Sequence, residues 1–313
     1  MKIYMAPMEG VTTRTYRTVF RKYFGGVDKY FTPFLVANQT HHFKKREIAE
    51  VTPMEDELVP QILTCNGSDF LWAAKYLAAA GYREVNLNLG CPYPTVFTKG
   101  KGSGMLADPD RLERFLAEIF SAQDIPEISI KTRVGVKDPD EAPKLAEIFA
   151  CYPVKEIIIH PRVREDYYQG KLRLEAFRMM LQTLSCPVCF NGDICEAADW
   201  QKIGNTFPAI DTIMIGRGLI ADPMLAITLK KGEAPGYHAD EAENVKRLRS
   251  FLDELWYAYS DVLYGERDVL FKMKEIWYYM GRRYPDRERA LLDIKKARYK
   301  DEYADAVSRV FDI

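Results

Sequence analysis

Short apolar runs alternate with amphipathic stretches from the first residues of the chain onward. Eight runs, at 3–7, 28–33, 59–64, 84–89, 127–132, 156–160, 187–191 and 211–216, read as strands. Most hold β-branched or large apolar residues for a few positions and then stop at Pro, Gly, Asn or a charged residue. Between them the apolar positions recur at helical spacing, over 14–23, 69–79, 110–121, 141–150, 173–184, 197–203 and 223–230. Ser68 and the pair Asp108-Pro109 stand where N-caps of two of these helices belong. The longer loop after the second strand predicts no element.

Strand-then-helix units in this number fit a closed parallel barrel better than a doubly wound sheet. A dinucleotide-binding sheet wants G-x-G-x-x-G after its first strand, and here that turn is Pro7-Met8-Glu9-Gly10-Val11-Thr12. The pattern changes at Gly-Glu-Ala-Pro-Gly-Tyr-His-Ala-Asp, residues 232–240, a linker-like stretch followed only by helical periodicity. Three apolar stripes lie there: Leu248 to Tyr259, Val269 to Met280, and Tyr303, Ala306, Val307 and Val310. The expectation is an α/β chain: a (β/α)8 TIM barrel over 1–235, then a smaller C-terminal all-helical domain over 241–313.

The 313 residues, 47% of them hydrophobic, suffice for one large core and an appendage. With 44 basic and 45 acidic side chains the formal charge is −1, so composition alone calls for neither nucleic acid nor a membrane surface. No apolar run approaches the roughly 20 residues that span a bilayer, and the opening residues carry no signal or transit pattern. A cytoplasmic protein is expected, with no membrane and no protein partner evident. The six cysteines form no secreted-type framework. Cys186 and Cys189 have C-x-x-C spacing, but no second pair accompanies them, and Cys189 reads as a small filler of a buried strand.

In such a barrel the chemistry gathers where strands end. The polar residues at those ends are Gln61, Asn86 with Asn88 and Cys91, Lys131 with Arg133, His160 with Arg162, and Asn191 with Asp193. Gln61 and Asn191 can both donate to and accept from a ring with mixed edges, and Lys131 offers a fixed positive charge. Asn191-Gly192-Asp193 and Gly216-Arg217-Gly218 end the last two strands, where glycine amides and an arginine can hold a phosphate. A polar ring system, a charge sink and a terminal phosphate describe flavin mononucleotide.

Six segments resemble the tRNA-dihydrouridine synthase family in order and spacing. They are Ala6-Pro7-Met8-Glu9-Gly10-Val11-Thr12, Asn88-Leu89-Gly90-Cys91-Pro92, Lys131-Thr132-Arg133, His160-Pro161-Arg162, Asn191-Gly192-Asp193-Ile194 and Gly216-Arg217-Gly218. Val96 to Leu106 matches the loop after the family's Cys motif, and Tyr264-Gly265-Glu266 with the basic helix after it resembles the C-terminal domain. The resemblance implies reduction of the uracil C5=C6 bond in tRNA by FMN, itself reduced by NADPH. It implies an FMN site at Pro7, Met8, Gln61, Lys131, His160, Asn191, Gly192, Asp193, Gly216 and Arg217. Asn88 and Arg162 would contact the uracil, with Lys99 on the mobile Cys loop. Arg133 belongs to the same substrate set. Cys91 would protonate C5 after hydride reaches C6 from flavin N5; an ordinary thiol, with a pKa of about 8.5, carries a proton at neutral pH. Two departures concern the uracil contacts. Valine and proline stand in His160-Pro161-Arg162-Val163 where the family has Thr and Gly, and Asp166 to Gly170 matches only approximately.

Charge distribution speaks for RNA where total charge did not. Between Arg267 and Lys300 eleven basic residues face five acids, interleaved with Tyr278, Tyr279, Tyr284 and Tyr299. Arg282 and Arg283 are the expected tRNA contacts there. Lys44-Lys45-Arg46, after His41-His42, forms a second, shorter basic set. Two alternatives stay open on the residues: a flavin oxidoreductase of the dihydroorotate or dihydropyrimidine type, and a non-catalytic RNA-binding barrel.

Overall fold

The computed structural model describes residues 1–232 and 241–311; apart from Gly232, the linker expected at 232–240 lies outside them. Ten strand segments form one sheet: β1 (Lys2–Met5), β2 (Lys29–Phe31), β3 (Leu35–Val36), β4 (Leu58–Val59), β5 (Gln61–Leu63), β6 (Glu84–Leu89), β7 (Glu127–Gly135), β8 (Ile157–Val163), β9 (Val188–Phe190) and β10 (Thr212–Ile215). Their order is β3-β5-β6-β7-β8-β9-β10-β1-β2-β4. Only Pro60, which lacks an amide hydrogen, separates β4 from β5, and Pro33 lies between β2 and β3. Each pair of segments is thus one interrupted strand. β2 pairs with β4 and β3 with β5, both parallel, so the ends of that order meet and eight strands close into a barrel.

Register explains what lines the barrel. Gln61 pairs with Asn86, Asn86 with Ser129, Asn88 with Lys131, and Arg133 with His160. Side chains on a strand alternate with a period of two. Asn86 and Asn88, then Ser129, Lys131 and Arg133, then His160 and Arg162, therefore share one face with their cross-strand partners. Lower in the interior, Tyr4, Ala6, Phe31, Val59, Ile158, Cys189 and Met214 pack as one buried cluster. At the strands' N-terminal ends an ion network closes the barrel. Lys29 lies 3.0 Å from Glu84 and 3.8 Å from Glu156, Lys155 lies 3.1 Å from Glu84, and Lys155 also pairs with Glu127. The Tyr4 hydroxyl donates to Glu156 at 3.0 Å.

The chain divides into two compact units. The first holds Met1–Pro7, Asp28–Gly192 and Pro208–Met214, and so nearly the whole sheet. The second holds Met8–Val27, Asp193–Phe207 and the described chain from Ile215 onward. Inside the second unit Phe251 packs edge-on against Tyr16 and Phe24, at centroid distances of 5.8 and 5.0 Å. The helices Glu241–Ser260 and Glu266–Met280 bury the apolar stripes expected of them, and Trp277 Nε1 donates to the Tyr303 hydroxyl at 2.9 Å. Compactness therefore groups some segments from the barrel portion of the chain with the C-terminal helices.

Several expectations shift in detail. Ser68 is no cap: it lies inside the helix Gly67–Ala79, where the Asn66 side chain accepts from the Asp69 amide at 3.1 Å. Asp108 does cap its helix, accepting from the Arg111 amide at 3.0 Å. The loop after the second strand contains a short helix, Lys45–Ala49. β7 runs on to Gly135 and β8 to Val163, so Arg133 and Arg162 lie within strands rather than after them. Cys189 is fully buried in the barrel wall, and burial drives its thiol pKa well up; Cys151 and Cys195 are exposed. Alkylation of the folded protein should label Cys151 and Cys195 and spare Cys189 until denaturant is added. Labelling of Cys189 at the rate of the exposed thiols, read by peptide mass, would contradict this packing.

Candidate active site

Parallel strands put every following loop at one rim, and the loop after β6 carries Cys91 there. Gly90 and Cys91 both donate their amide hydrogens to Asn88 Oδ1, at 3.1 and 2.9 Å. The Gly90 carbonyl accepts from Arg133 Nε at 2.8 Å, and the Cys91 carbonyl accepts from the Ser103 hydroxyl at 2.7 Å. Pro92 has no amide hydrogen, and its carbonyl accepts from Arg164 Nε at 3.3 Å. Every backbone polar group of this tripeptide has a partner, so the loop holds the thiol in one place. Gly102 (φ +56) passes so close that a Cβ on it would lie 3.0 Å from both the Cβ and the carbonyl of Cys91, which demands glycine here.

Asn88 is itself held. Its Nδ2 donates to Gln61 Oε1 at 2.7 Å, Gln61 Nε2 donates to Asn86 Oδ1 at 2.8 Å, and Asn86 Nδ2 donates to Ser129 Oγ at 3.0 Å. Each amide orients the next, and all four residues are buried. Asn88, expected at the uracil, thus has both ends of its side chain engaged by protein. Gln61, expected at the cofactor, keeps one N–H and one acceptor site beyond this relay.

The arginines are committed as well. Arg133 donates from Nη1 to the Val163 carbonyl at 2.9 Å and from Nη2 to that of Tyr167 at 2.7 Å. It ties the Cys91 loop to the loop after β8, and burial lowers its pKa. Arg162 donates to the carbonyls of Gln169 and Gly170, at 2.9 and 2.6 Å, with Nη1 3.2 Å from His160 Nε2. Tyr167, at φ +50, supplies a carbonyl to Arg133 in a backbone conformation few bulky residues adopt. Tyr168 stacks on His160, centroids 6.2 Å apart, and lies beneath the Arg133 guanidinium at 5.3 Å; burial raises its phenol pKa. Sequence reasoning gave no role to Tyr168 or Ser103, which lay in segments it matched, and passed over Arg164 and Ser129, because only the fold brings them to the Cys91 loop and its relay. Lys99 is exposed, and its carbonyl accepts from Cys65 Sγ at 3.4 Å.

Lys131 brings the positive charge. It is half-buried, donates to Asn191 Oδ1 at 2.7 Å, and has its pKa lowered to about 8, chiefly by burial and then by Arg133. Asn191 Nδ2 in turn donates to the Met214 carbonyl at 2.8 Å. At Gly192 a Cβ would come within 3.0 Å of the Leu172 side chain. This donor set suits a flavin: a carbonyl-rich ring can take the remaining Lys131 hydrogens and the spare Gln61 amide, and negative charge beside Lys131 would raise its pKa again. Pro7 follows β1 in this unit.

The second unit holds the other expected cofactor residues. Met8 forms a tight turn, its amide donating to Thr12 Oγ1 at 2.8 Å and its carbonyl accepting from the Val11 and Thr12 amides. Asp193, at φ +44, pairs with Arg217 at 2.6 Å, and Gly216 precedes the helix Arg217–Ala221. Of the basic segment, Arg282 is exposed beside Tyr278, 5.4 Å from its centroid. Arg283, expected at the tRNA, is instead paired with Asp222. Lys272 and Lys274 also turn inward, to the carbonyls of Gly10 and Ala297. The charge count had no way to separate these solvent-facing and inward-facing cations.

The lowered Lys131 pKa can be read directly. In flavin-free protein with 13C-labelled lysine, one Cε resonance, absent from Lys131→Arg, should titrate near pH 8. Finding Lys131 to titrate with the ordinary lysines, above pH 10, would remove the burial on which its role rests.

Comparisons with known proteins agree with this geometry. The family model described as Dihydrouridine synthase (Dus) matches residues 4–304. A probable tRNA-dihydrouridine synthase 1 of Synechocystis sp. is 28% identical over 291 residues, covering 88% of this chain and 78% of its own length. A tRNA-dihydrouridine(16) synthase of Pseudomonas syringae pv. tomato is 32% identical, covering 74% of this chain and 77% of its own. Among solved structures, morphinone reductase in complex with tetrahydroNAD superposes with a TM-score of 0.54 at 12% identity, covering 85% of this chain and 94% of that one; this likeness is one of fold. No described helix is long and apolar enough to cross a membrane. With a family match across nearly its whole length and a (β/α)8 barrel beneath it, the chain belongs to the dihydrouridine synthase family and is a flavin-dependent oxidoreductase.

Proposed function

We propose that this protein reduces the C5=C6 bond of a uridine in tRNA, with FMN as its flavin, NADPH as reductant and Cys91 as proton donor. When bound and reduced, FMN supplies the hydride that goes to uracil C6. Lys131 and Gln61 would hold the flavin ring, with Asn191 and Gly192 of the same unit toward its phosphate end. Hydride addition leaves enolate-like charge on C5 and the C4 carbonyl of the base. Cys91 then gives its proton to C5, and the thiolate recovers a proton from solvent before the next turnover.

The observation that carries this reading is the fully satisfied backbone of the Cys91 loop. A proton donor must meet C5 within hydrogen-bond reach, and a loop with one conformation supplies that position without a further ordering cost. Arg133 and Arg162 act on the base by holding the loops around it, and Tyr168, packed on His160 and under Arg133, supports them. The target uridine has to leave its stack, at a cost of a few kcal/mol. Contacts to the tRNA body offset that cost, and the exposed cation–aromatic pairs of the helical segment 241–313, Arg282 with Tyr278 among them, are suited to make them. In this reading residues 1–235 form the catalytic barrel and 241–313 the tRNA-binding domain.

Cys91→Ala should purify yellow, bind FMN as wild type does and oxidise NADPH at the wild-type rate. Its dihydrouridine yield on tRNA should fall by about 10²–10⁴-fold, the range of a lost general acid. Unimpaired product formation would remove Cys91 from the mechanism, and wild-type turnover of free uracil as fast as tRNA would replace the substrate.

A further inference from the structure

The loop after the second barrel strand, residues 37–46, has no part in the chemistry above, yet it is built with care. His41, His42, Lys44, Lys45 and Arg46 are all exposed, and Lys44, Lys45 and Arg46 have no acidic partner among the described residues. The next acid along the chain, Glu47, forms no ion pair with them. It is buried, and its carboxylate is spent on the backbone, Oε1 accepting from the Val36 amide at 2.9 Å and Oε2 from the Lys44 amide at 2.8 Å.

The loop is also anchored between its charges. Phe43 is buried, its centroid 4.7 Å from Trp72 and 5.3 Å from Tyr76. His41 adopts φ +48, lies parallel to the Trp72 ring at 5.2 Å, and has Nε2 3.5 Å from Asp69 Oδ1. Hydrophobic anchoring and backbone tethers thus present three uncompensated cations on a fixed frame, which keeps the ordering cost of binding low. Burial of Phe43 holds the loop down, whereas a run of like charge kept together on the surface opposes folding unless something anionic meets it.

Position identifies that partner. The loop follows β3, and in a parallel barrel it therefore stands at the same rim as the loop after β6. The two loops touch: Lys101, ten residues beyond Cys91, donates from Nζ to the Ala37 carbonyl at 3.3 Å. We propose that Lys44, Lys45 and Arg46 form a phosphate-contacting rim that grips the RNA backbone next to the extruded uridine. This rests on the tRNA reading above and adds to it a polynucleotide contact on the catalytic barrel itself. The partner chemistry is a flexible polyanion, because three cations on successive residues match phosphates that can adjust their spacing, with no apolar surface to insert.

The test is a full-length triple variant, Lys44→Gln, Lys45→Gln and Arg46→Gln, compared with wild type and with a charge-keeping variant, Lys44→Arg, Lys45→Arg and Arg46→Lys. tRNA affinity is measured from about 50 to 200 mM salt. Each phosphate left without its cation should lower the slope of log K against log salt by about 0.7–0.9. The neutral variant should therefore lose roughly 2 from that slope and bind about tenfold or more weakly at 100 mM salt. Its NADPH oxidation without tRNA should match wild type, and the charge-keeping variant should retain the slope. A neutral variant with unchanged slope and affinity, while wild type forms dihydrouridine in tRNA, overturns the rim alone. A wild type that forms no dihydrouridine in tRNA overturns the functional reading and the rim with it.

Discussion

The constraint on which the rest depends is the hydrogen-bond saturation of Gly90-Cys91-Pro92. Two amides share Asn88 Oδ1, and three carbonyls are taken by Arg133, Ser103 and Arg164. A catalytic thiol on an ordinary loop would sample many positions, whereas here the chain cannot move without breaking several buried bonds at once. The relay from Asn88 through Gln61 and Asn86 to Ser129 carries that fixation into the barrel wall. In this low-dielectric interior each amide of the relay is oriented by the next, and Gln61 keeps a donor and an acceptor to spare.

The barrel separates its two tasks by strand end. At the N-terminal ends Lys29 and Lys155 are each paired with carboxylates of Glu84, Glu127 and Glu156, so the charge there serves stability. Toward the other end Lys131 is held by the neutral Asn191 and stands near the guanidinium of Arg133, an arrangement that costs stability. An uncompensated lysine in that position is ready to receive negative charge, and a bound anion would hold it protonated. The fold thus keeps, at its functional end, a lysine without a carboxylate partner, while each lysine at the other end is paired with carboxylates.

Much of this was legible in the chain. Period-two polar residues on strands that are otherwise apolar, such as Asn86 and Asn88 in β6, marked a polar barrel interior, and β6 spans the six residues expected. The extensions of β7 and β8 were hidden for a physical reason. A strand reading stops at Arg133, since arginine is rarely buried unless paired, and at Pro161, which lacks an amide hydrogen. Here the Arg133 guanidinium is paired with the carbonyls of Gly90, Val163 and Tyr167, far away along the chain, which no local pattern encodes, and that of Arg162 with the carbonyls of Gln169 and Gly170 in the loop just after β8. The same limit applies to roles: Asn88 and Arg133 were expected as substrate contacts, and the fold shows that both also bond the loop that carries Cys91. The basic count at 267–300 likewise mixed Arg282, which faces solvent, with Arg283, which Asp222 takes.

The central claim is that Asn88 acts through the position of Cys91. The most direct measurement is single-turnover dihydrouridine formation by Asn88→Ala, with FMN bound and reduced beforehand and tRNA saturating. The account predicts a fall of about 10²-fold or more in that rate with FMN affinity and NADPH oxidation intact. A rate equal to wild type would show that the thiol finds its place without the Asn88 tether, and would contradict the account.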